Sequence, residues 1–299
     1  MNSKNFIQMT FKLITNGDSW TFGSEIVDPA VVSKHLDKKH LTEYDFFEEN
    51  DSYRITKIWP THLAKIMNAD LINLAWPADD NGSILRRTMS YIATNFIEKN
   101  LPTDDILVII GWSSPERNSF WYDDGKQSHS LKLYPTIPTS VRDVEFKKFW
   151  EYYVINLWNP EDYIRRFIFD AVQFENFCIR YKIKYLQFNS FYQTPGKNIT
   201  QWIDLNISEE VNKLKPDVST IYDSTIARRK HEIANYITLW NTINSVNFYN
   251  KDQTNNTFKG FIDSKFKDPY NKTWHPSPES HLAWAEELYR YMTVNKIIN

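Results

Sequence analysis

The run Asp105-Ile-Leu-Val-Ile-Ile-Gly111 constrains the fold more than any other stretch. Five consecutive apolar residues, mostly β-branched, leave it no polar face. Such a strand must be covered on both sides, as parallel strands are when helices cross over them. Phe11 to Thr15 reads as another buried strand, ending in the turn Asn16-Gly17-Asp18. Ala69 to Trp76 reads as a third, followed by Pro77-Ala-Asp-Asp-Asn-Gly-Ser83 and an apolar helical pattern from Ile84 to Lys99. Lys184 to Ser190 is a fourth candidate. Strands alternating with helices predict an α/β fold, here a three-layer α/β/α sandwich with a mainly parallel sheet of about five strands.

In such a sheet the carboxyl ends of the strands are where ligands bind. The chain is sparing with glycine, having 7 where ordinary composition gives roughly 20. Four of them (Gly17, Gly23, Gly82 and Gly111) fall in or beside three strand-to-helix turns. Ser19 follows the first turn. It either faces a ligand, with backbone N–H groups of the next turn pointing into the same space, or Asp18 or Ser19 merely caps a helix.

A net charge of -2 gives no electrostatic case for binding nucleic acid. The single cysteine, Cys178, excludes an intramolecular disulfide and a cysteine-based metal cluster. No apolar stretch is long enough to span a bilayer, and Met1 to Phe6 lacks the apolar segment of a signal peptide. The expectation is a soluble cytoplasmic protein that uses neither membrane nor nucleic acid. The excess of Asn, Ile, Lys, Tyr and Phe suits an AT-rich genome such as a phage's, in which case the setting is host cytoplasm or virion.

Near the carboxyl end, Trp274-His-Pro-Ser-Pro-Glu-Ser-His281 precedes an amphipathic run from Leu282 to Met292. Together with Gly17-Asp18-Ser19, this His275-Pro276 motif resembles the SGNH/GDSL hydrolase superfamily, with His281 where members often carry a second histidine. The resemblance implies a flavodoxin-like sheet and a serine esterase or acyl hydrolase without metal or organic cofactor. Its substrate would be a small-molecule or glycan ester, such as an O-acetyl group. Ser19 would be the nucleophile and His275 the base. The motif is not the Gly-x-Ser-x-Gly elbow, because Thr21 stands where that needs glycine.

The same resemblance extends to the two inner turns. Asn73, Leu74, Ala75, Pro77 and Asn81 match the family's second block, with Ala78 where a glycine N–H supplies an oxyanion donor. Alanine serves equally if the turn does not require a positive φ. The other reading is that Asp79, Asp80 and Asn81 simply cap the helix. Ser113 stands where the third block has an asparagine donor. Glu116-Arg117 would form an ion pair shaping the pocket.

The family's aspartate, three residues before the histidine, is Lys272 here. Asp268, in the loop upstream, would have to fold back to His275. Otherwise Asn271 or a backbone carbonyl orients the imidazole in a dyad, or the site is weakened or dead. The remaining option is a catalytically inactive relative that binds carbohydrate or builds a virion. Residues 1–299 form one domain on this reading, with an aromatic insertion at about 115–260. Its parts are a loop at 118–140, helices at 144–158 and from 159 to about 181, a loop at 191–205, and helices at 207–215 and about 225–243. Tyr44 to Tyr53 reads as a surface loop.

Overall fold

A computed structural model describes residues 11–34, 47–123, 128–133, 144–157, 160–191, 230–251, 253, 256–271 and 274–298. The expected loop at 192–205 and helix at 207–215 lie outside the described residues. The first strand, β1 (Lys12–Asn16), leads into a one-turn helix α1 (Ser19–Phe22). Helices α2 (Pro29–Lys34), α3 (Phe47–Lys57) and α4 (Trp59–Met67) follow, then β2 (Asp70–Asn73). Helix α5 (Asn81–Ile92) ends in a wide π-type turn and is followed by β3 (Ile106–Trp112).

The strands β4 (Asn118–Asp123) and β5 (Ser128–Leu133) then form a separate antiparallel hairpin. Helices α6 (Val144–Tyr152) and α7 (Pro160–Arg180) lead to β6 (Lys184–Asn189), and α8 (Lys230–Thr242), α9 (Phe258–Lys265) and α10 (Pro278–Val294) complete the described chain. Among the described residues no helix is long and apolar enough to cross a membrane.

The main sheet has four parallel strands in the order β2-β1-β3-β6. Every residue of β3 is buried. Ile106, Val108, Ile110 and Trp112 face a cluster with α5, α7 and α8, while Leu107 and Ile109 face α4, α9 and α10. Burying aliphatic side chains of this size contributes about 1.5–3 kcal/mol each before entropy is counted. The three-layer α/β/α expectation therefore holds: both faces of the sheet are dry. In place of a fifth regular strand, Phe248 and Thr257 touch β6 through two isolated parallel bridges. Asn250, just after the first bridge, sits at φ 45°, outside strand geometry.

The expected surface loop at 44–53 is instead largely helix, α3. Its inward face is polar: Asn50 and Arg54 are buried. Asn50 Nδ2 donates to Ile26 O at 2.7 Å, its Oδ1 accepts from Asp28 N at 2.8 Å, and the Arg54 guanidinium donates to Phe22 O. A helix docked by hydrogen bonds leaves no apolar stripe for periodicity to find.

The strand order places the topological switch between β1 and β3, since β2 lies to one side of β1 and β3 and β6 to the other. Ligands of open parallel sheets collect at that point, outside the carboxyl ends of the strands.

Candidate active site

Helix α1 begins where β1 ends. Gly17 is required there: a Cβ would lie 2.2 Å from Thr21 Oγ1 and 3.0 Å from Gly111 O. Asp18 caps α1, accepting from Trp20 N at 3.0 Å, and Gly23 closes the helix at φ 86°. The cap reading of Asp18 is therefore correct, and it leaves Ser19 at the first helical position. That backbone N–H is one of the orphan donors of a helix start. Among the described residues neither the Ser19 N–H nor its hydroxyl has a hydrogen-bond partner.

Asp18 does more than cap. Its second oxygen accepts from Ser113 Oγ at 2.7 Å and from Arg117 Nη1 at 3.1 Å, and the carboxylate is fully buried. Burial raises its pKa above the ordinary 3.8, while Arg117, Ser113, the Trp20 N–H and His275 pull the other way. The sequence suggests a Glu116–Arg117 pair; in the structure Arg117 forms an ion pair with Asp18. Ser113 was expected to assist an oxyanion. Its one hydrogen points at Asp18 instead, so the hydroxyl is not available.

Asn81 is likewise engaged. Its amide accepts from Ser113 N at 2.8 Å and donates to Ser113 O at 3.3 Å, which joins the turns after β2 and β3. The cap of α5 is Asp80, which accepts from Ser83 N at 3.0 Å.

Ala78 sits between them at φ 59°. The turn does require a positive φ, and alanine occupies it at a cost of about 1–2 kcal/mol. The turn is pinned to the Gly17–Ser19 segment, with Trp76 N donating to Gly17 O at 3.2 Å. Among the described residues the Ala78 N–H has no acceptor. The donors left unpaired at this end of the sheet thus include the N–H groups of Ser19 and Ala78.

His275 lies in a closed loop before α10. Asn271 N donates to His275 O at 2.7 Å, and Ser277 N donates to Pro269 O at 2.9 Å. Tyr270 packs on Trp20 of α1 with centroids 5.8 Å apart, and Asn271 Nδ2 reaches Glu25 O at 3.3 Å. The loop is therefore seated on the segment that carries Ser19. Asp268 is exposed. The carboxylate beside the imidazole belongs to Glu25, whose Oε1 is 3.2 Å from His275 Nδ1. That is ion-pair distance, although the Nδ1 is off the line of a hydrogen bond. His281 is fully buried, accepts from Trp59 N at 3.2 Å and is held neutral, its pKa lowered to about 3 by burial and by His62 and His275.

Sequence reasoning missed Glu25. The signal that could have found it is its place: two residues past the glycine that closes α1, on the same strand end as Ser19. Three non-glycine residues at positive φ flank this site, namely Glu25 (65°), Ala78 (59°) and Trp274 (70°). Strained backbone held at such a cluster is a pointer to function.

Residues 45–212 match the model of DUF6071, a family of unknown function. The chain belongs to this family. The DUF6071 span holds Ala78, Asn81, Ser113 and Arg117, but neither Ser19 nor His275. No curated protein matches the chain. Several solved structures resemble it. One is a carbohydrate esterase whose active site displays divergent catalytic and non-catalytic binding functions, with 14% identity, 95% of this chain and 64% of that one covered, and a TM-score of 0.43. Another is the psychrotrophic esterase EstA from Pseudoalteromonas sp., with 10% identity, 95% and 97% covered, and a TM-score of 0.40. A third is a member of the lipolytic protein G-D-S-L family from Veillonella parvula DSM 2008, with 8% identity, 94% and 98% covered, and a TM-score of 0.40. No residue role is carried over from them.

Proposed function

We propose that this DUF6071 chain is a serine hydrolase of the SGNH/GDSL kind that cleaves a carboxylic ester through an acyl-enzyme. One observation carries the reading. At the carboxyl end of β1, a serine whose hydroxyl and N–H have no partner among the described residues shares a segment with Glu25, the carboxylate beside His275. Ser19 Oγ attacks the ester carbonyl, and His275 takes its proton. The N–H groups of Ser19 and Ala78 receive the oxyanion. His275 then passes the proton to the leaving alkoxide, and water releases the acid by the same route. Glu25 orients the imidazole and offsets its charge, in the role first sought at Asp268. Asp18, Asn81, Ser113 and Arg117 hold the turns in place.

The substrate we assign is an ester on a glycan, such as an O-acetyl group. Trp76 and Trp274 are 52% and 71% exposed, whereas Trp20, Trp59, Trp112, Trp150, Trp240 and Trp284 are buried. Trp76 packs on Phe22 and Trp274 on Tyr270, so both indoles rest on rings that border α1. Exposed indoles beside a polar site suit the C–H faces of sugar rings.

The same indoles favour a second reading, a carbohydrate-binding relative without turnover. A fluorophosphonate probe separates the two. Mass spectrometry should find the adduct on Ser19, and His275→Ala should abolish it. A folded protein that stays unlabelled leaves only the binding reading.

A further inference from the structure

Beside the nucleophile turn lies a cleft of about 240 Å³, lined by the start of α5, the entry to the β4–β5 hairpin and one face of α7. Arg117 and Asn81 belong both to its wall and to the network around Asp18 and Ser113. The volume lies below the roughly 300–1,000 Å³ of sites for drug-sized ligands, so it suits a single ring. Arg86, Arg117 and Arg166 converge on it, with Tyr163 and Phe169 supplying aromatic wall.

The charges there do not cancel. Arg117 is matched by Asp18. Asp162 is shared by Arg165 and Arg166, one carboxylate for two guanidinium groups. Arg86 donates to Ser83 Oγ at 3.1 Å and has no carboxylate partner among the described residues. Asp80 is occupied by the N–H and hydroxyl of Ser83 and by the Ser119 hydroxyl. That leaves Asp170. Its pKa is raised to about 7, first by burial and then by Asp80, against Arg86 and Arg166. Below that pH it is largely a neutral donor, and the cleft then keeps uncompensated positive charge.

We propose that this cleft receives an acidic sugar ring, the alcohol part of the ester, with the sugar's carboxylate held by Arg86 and Arg166. Guanidinium groups bind carboxylates through paired, charge-assisted hydrogen bonds. Asn118 and Ser119 offer polar groups to ring hydroxyls, and Phe169 offers a partly exposed apolar face. The assignment deepens the hydrolase reading and rests on it.

The test is titration calorimetry on Ser19→Ala, which removes turnover. Methyl β-D-glucuronide should bind at least about tenfold more tightly than methyl β-D-glucoside at pH 6. The charged groups facing Asp170 are Asp80 and Arg86 from α5 and its cap, and Arg166 from α7. Ionisation of Asp170 adds a negative charge among them, so the preference should shrink by pH 8. Arg86→Gln, and separately Arg166→Gln, should each weaken the glucuronide about tenfold and spare the glucoside. Equal affinities, or a preference that survives both substitutions, overturn the assignment. So does inorganic phosphate displacing the glucuronide at equal concentration, which makes the cleft a bare anion cradle. The fluorophosphonate experiment on the wild type keeps the two readings apart. Labelling without sugar preference removes the cleft assignment alone. Preference without labelling removes the ester and leaves acidic-sugar binding.

Discussion

The two halves of the candidate site are held in different ways. On the nucleophile side, Asp18 is fully buried and accepts from three donors in two parts of the chain, Trp20 in α1 and Ser113 and Arg117 in the turn after β3. On the base side, the His275 side chain is 21% exposed, and Nδ1 has one carboxylate at ion-pair distance. The backbone of the His275 loop is well tied, but its imidazole is not locked. A charged group enclosed by donors has one low-energy position, whereas a ring with a single off-line partner retains freedom. The sheet therefore fixes Ser19 and the two N–H groups proposed to receive the oxyanion, and His275 is carried by a loop seated on the same segment. Changes on the first side should act all at once, and changes on the second by degrees.

The largest effect should come from the two residues that move the proton. Ser19→Ala and His275→Ala should each lower kcat on p-nitrophenyl acetate by about four orders of magnitude or more, and the double variant should be no worse than either, because the pair acts as a unit. A mild loss in His275→Ala alone would break the comparison by making the base side dispensable.

Next is the locked carboxylate. Asp18→Ala leaves Arg117 partly buried without its partner and removes the cap of α1. Breaking a buried pair from one side costs about 3–5 kcal/mol. Arg117 is only partly buried, so the lower end applies: urea denaturation should show a loss of about 3 kcal/mol. A change under about 1 kcal/mol would show that the nucleophile side is no more tightly held than the base side.

Glu25→Gln tests the looser half. In well-locked triads loss of the acid costs about four orders of magnitude. Here the contact is partly exposed and off-line, so kcat should fall about 10- to 100-fold with KM nearly unchanged, and Glu25→Asp should recover part of it. An effect as large as that of His275→Ala would mean that the imidazole is locked in the working enzyme.

This contrast also explains what could be read from the chain. The strand runs were legible because each carries its own signal: β3 has no polar face, and β1 ends in Asn-Gly-Asp. The turns that carry Ser19 and Ala78 were legible because strand-to-helix turns are written in consecutive residues. The pairings were not legible. Arg117 goes to Asp18, 99 positions away, and no spacing rule links them. Glu25 and His275 are 250 positions apart in sequence, so spacing around the histidine points only to the nearby Asp268. Helix α3 escaped for a related reason, since Asn50 and Arg54 dock it through tertiary hydrogen bonds.

The base side also has a pH-sensitive foundation. His281 joins α10 to α4 and is buried neutral, with a pKa near 3 against 6.5 for a free histidine. Between those values the unfolded chain binds a proton that the native state does not, so this contribution falls as pH drops below 6.5. At pH 5 the loss is about 2 kcal/mol. The raised carboxyls Asp18 and Asp170 act in the opposite direction. The measurement is therefore a difference: wild type should lose about 2 kcal/mol more than His281→Asn between pH 7.5 and pH 5. Parallel curves would mean that His281 charges without opening the α4–α10 contact.

The smallest expected effect concerns a strained residue in the turn after β2. Ala78 holds φ 59°, which glycine adopts without its steric cost. Ala78→Gly removes about 1 kcal/mol of strain, partly offset by the greater entropy of the unfolded chain. A gain of about 0.5 kcal/mol is expected in urea denaturation. The N–H is kept, so an oxyanion donor loses nothing, and kcat should stay within about twofold. The two readouts decide different things. A gain in stability with unchanged kcat shows that the turn is fixed by its surroundings, by Trp76 on Gly17 and Asn81 on Ser113, and that alanine's strain is incidental. A gain in stability with a clear fall in kcat shows that the strained alanine itself aims the donor, and the nucleophile side then owes its rigidity to that strain as well as to the hydrogen bonds around Asp18.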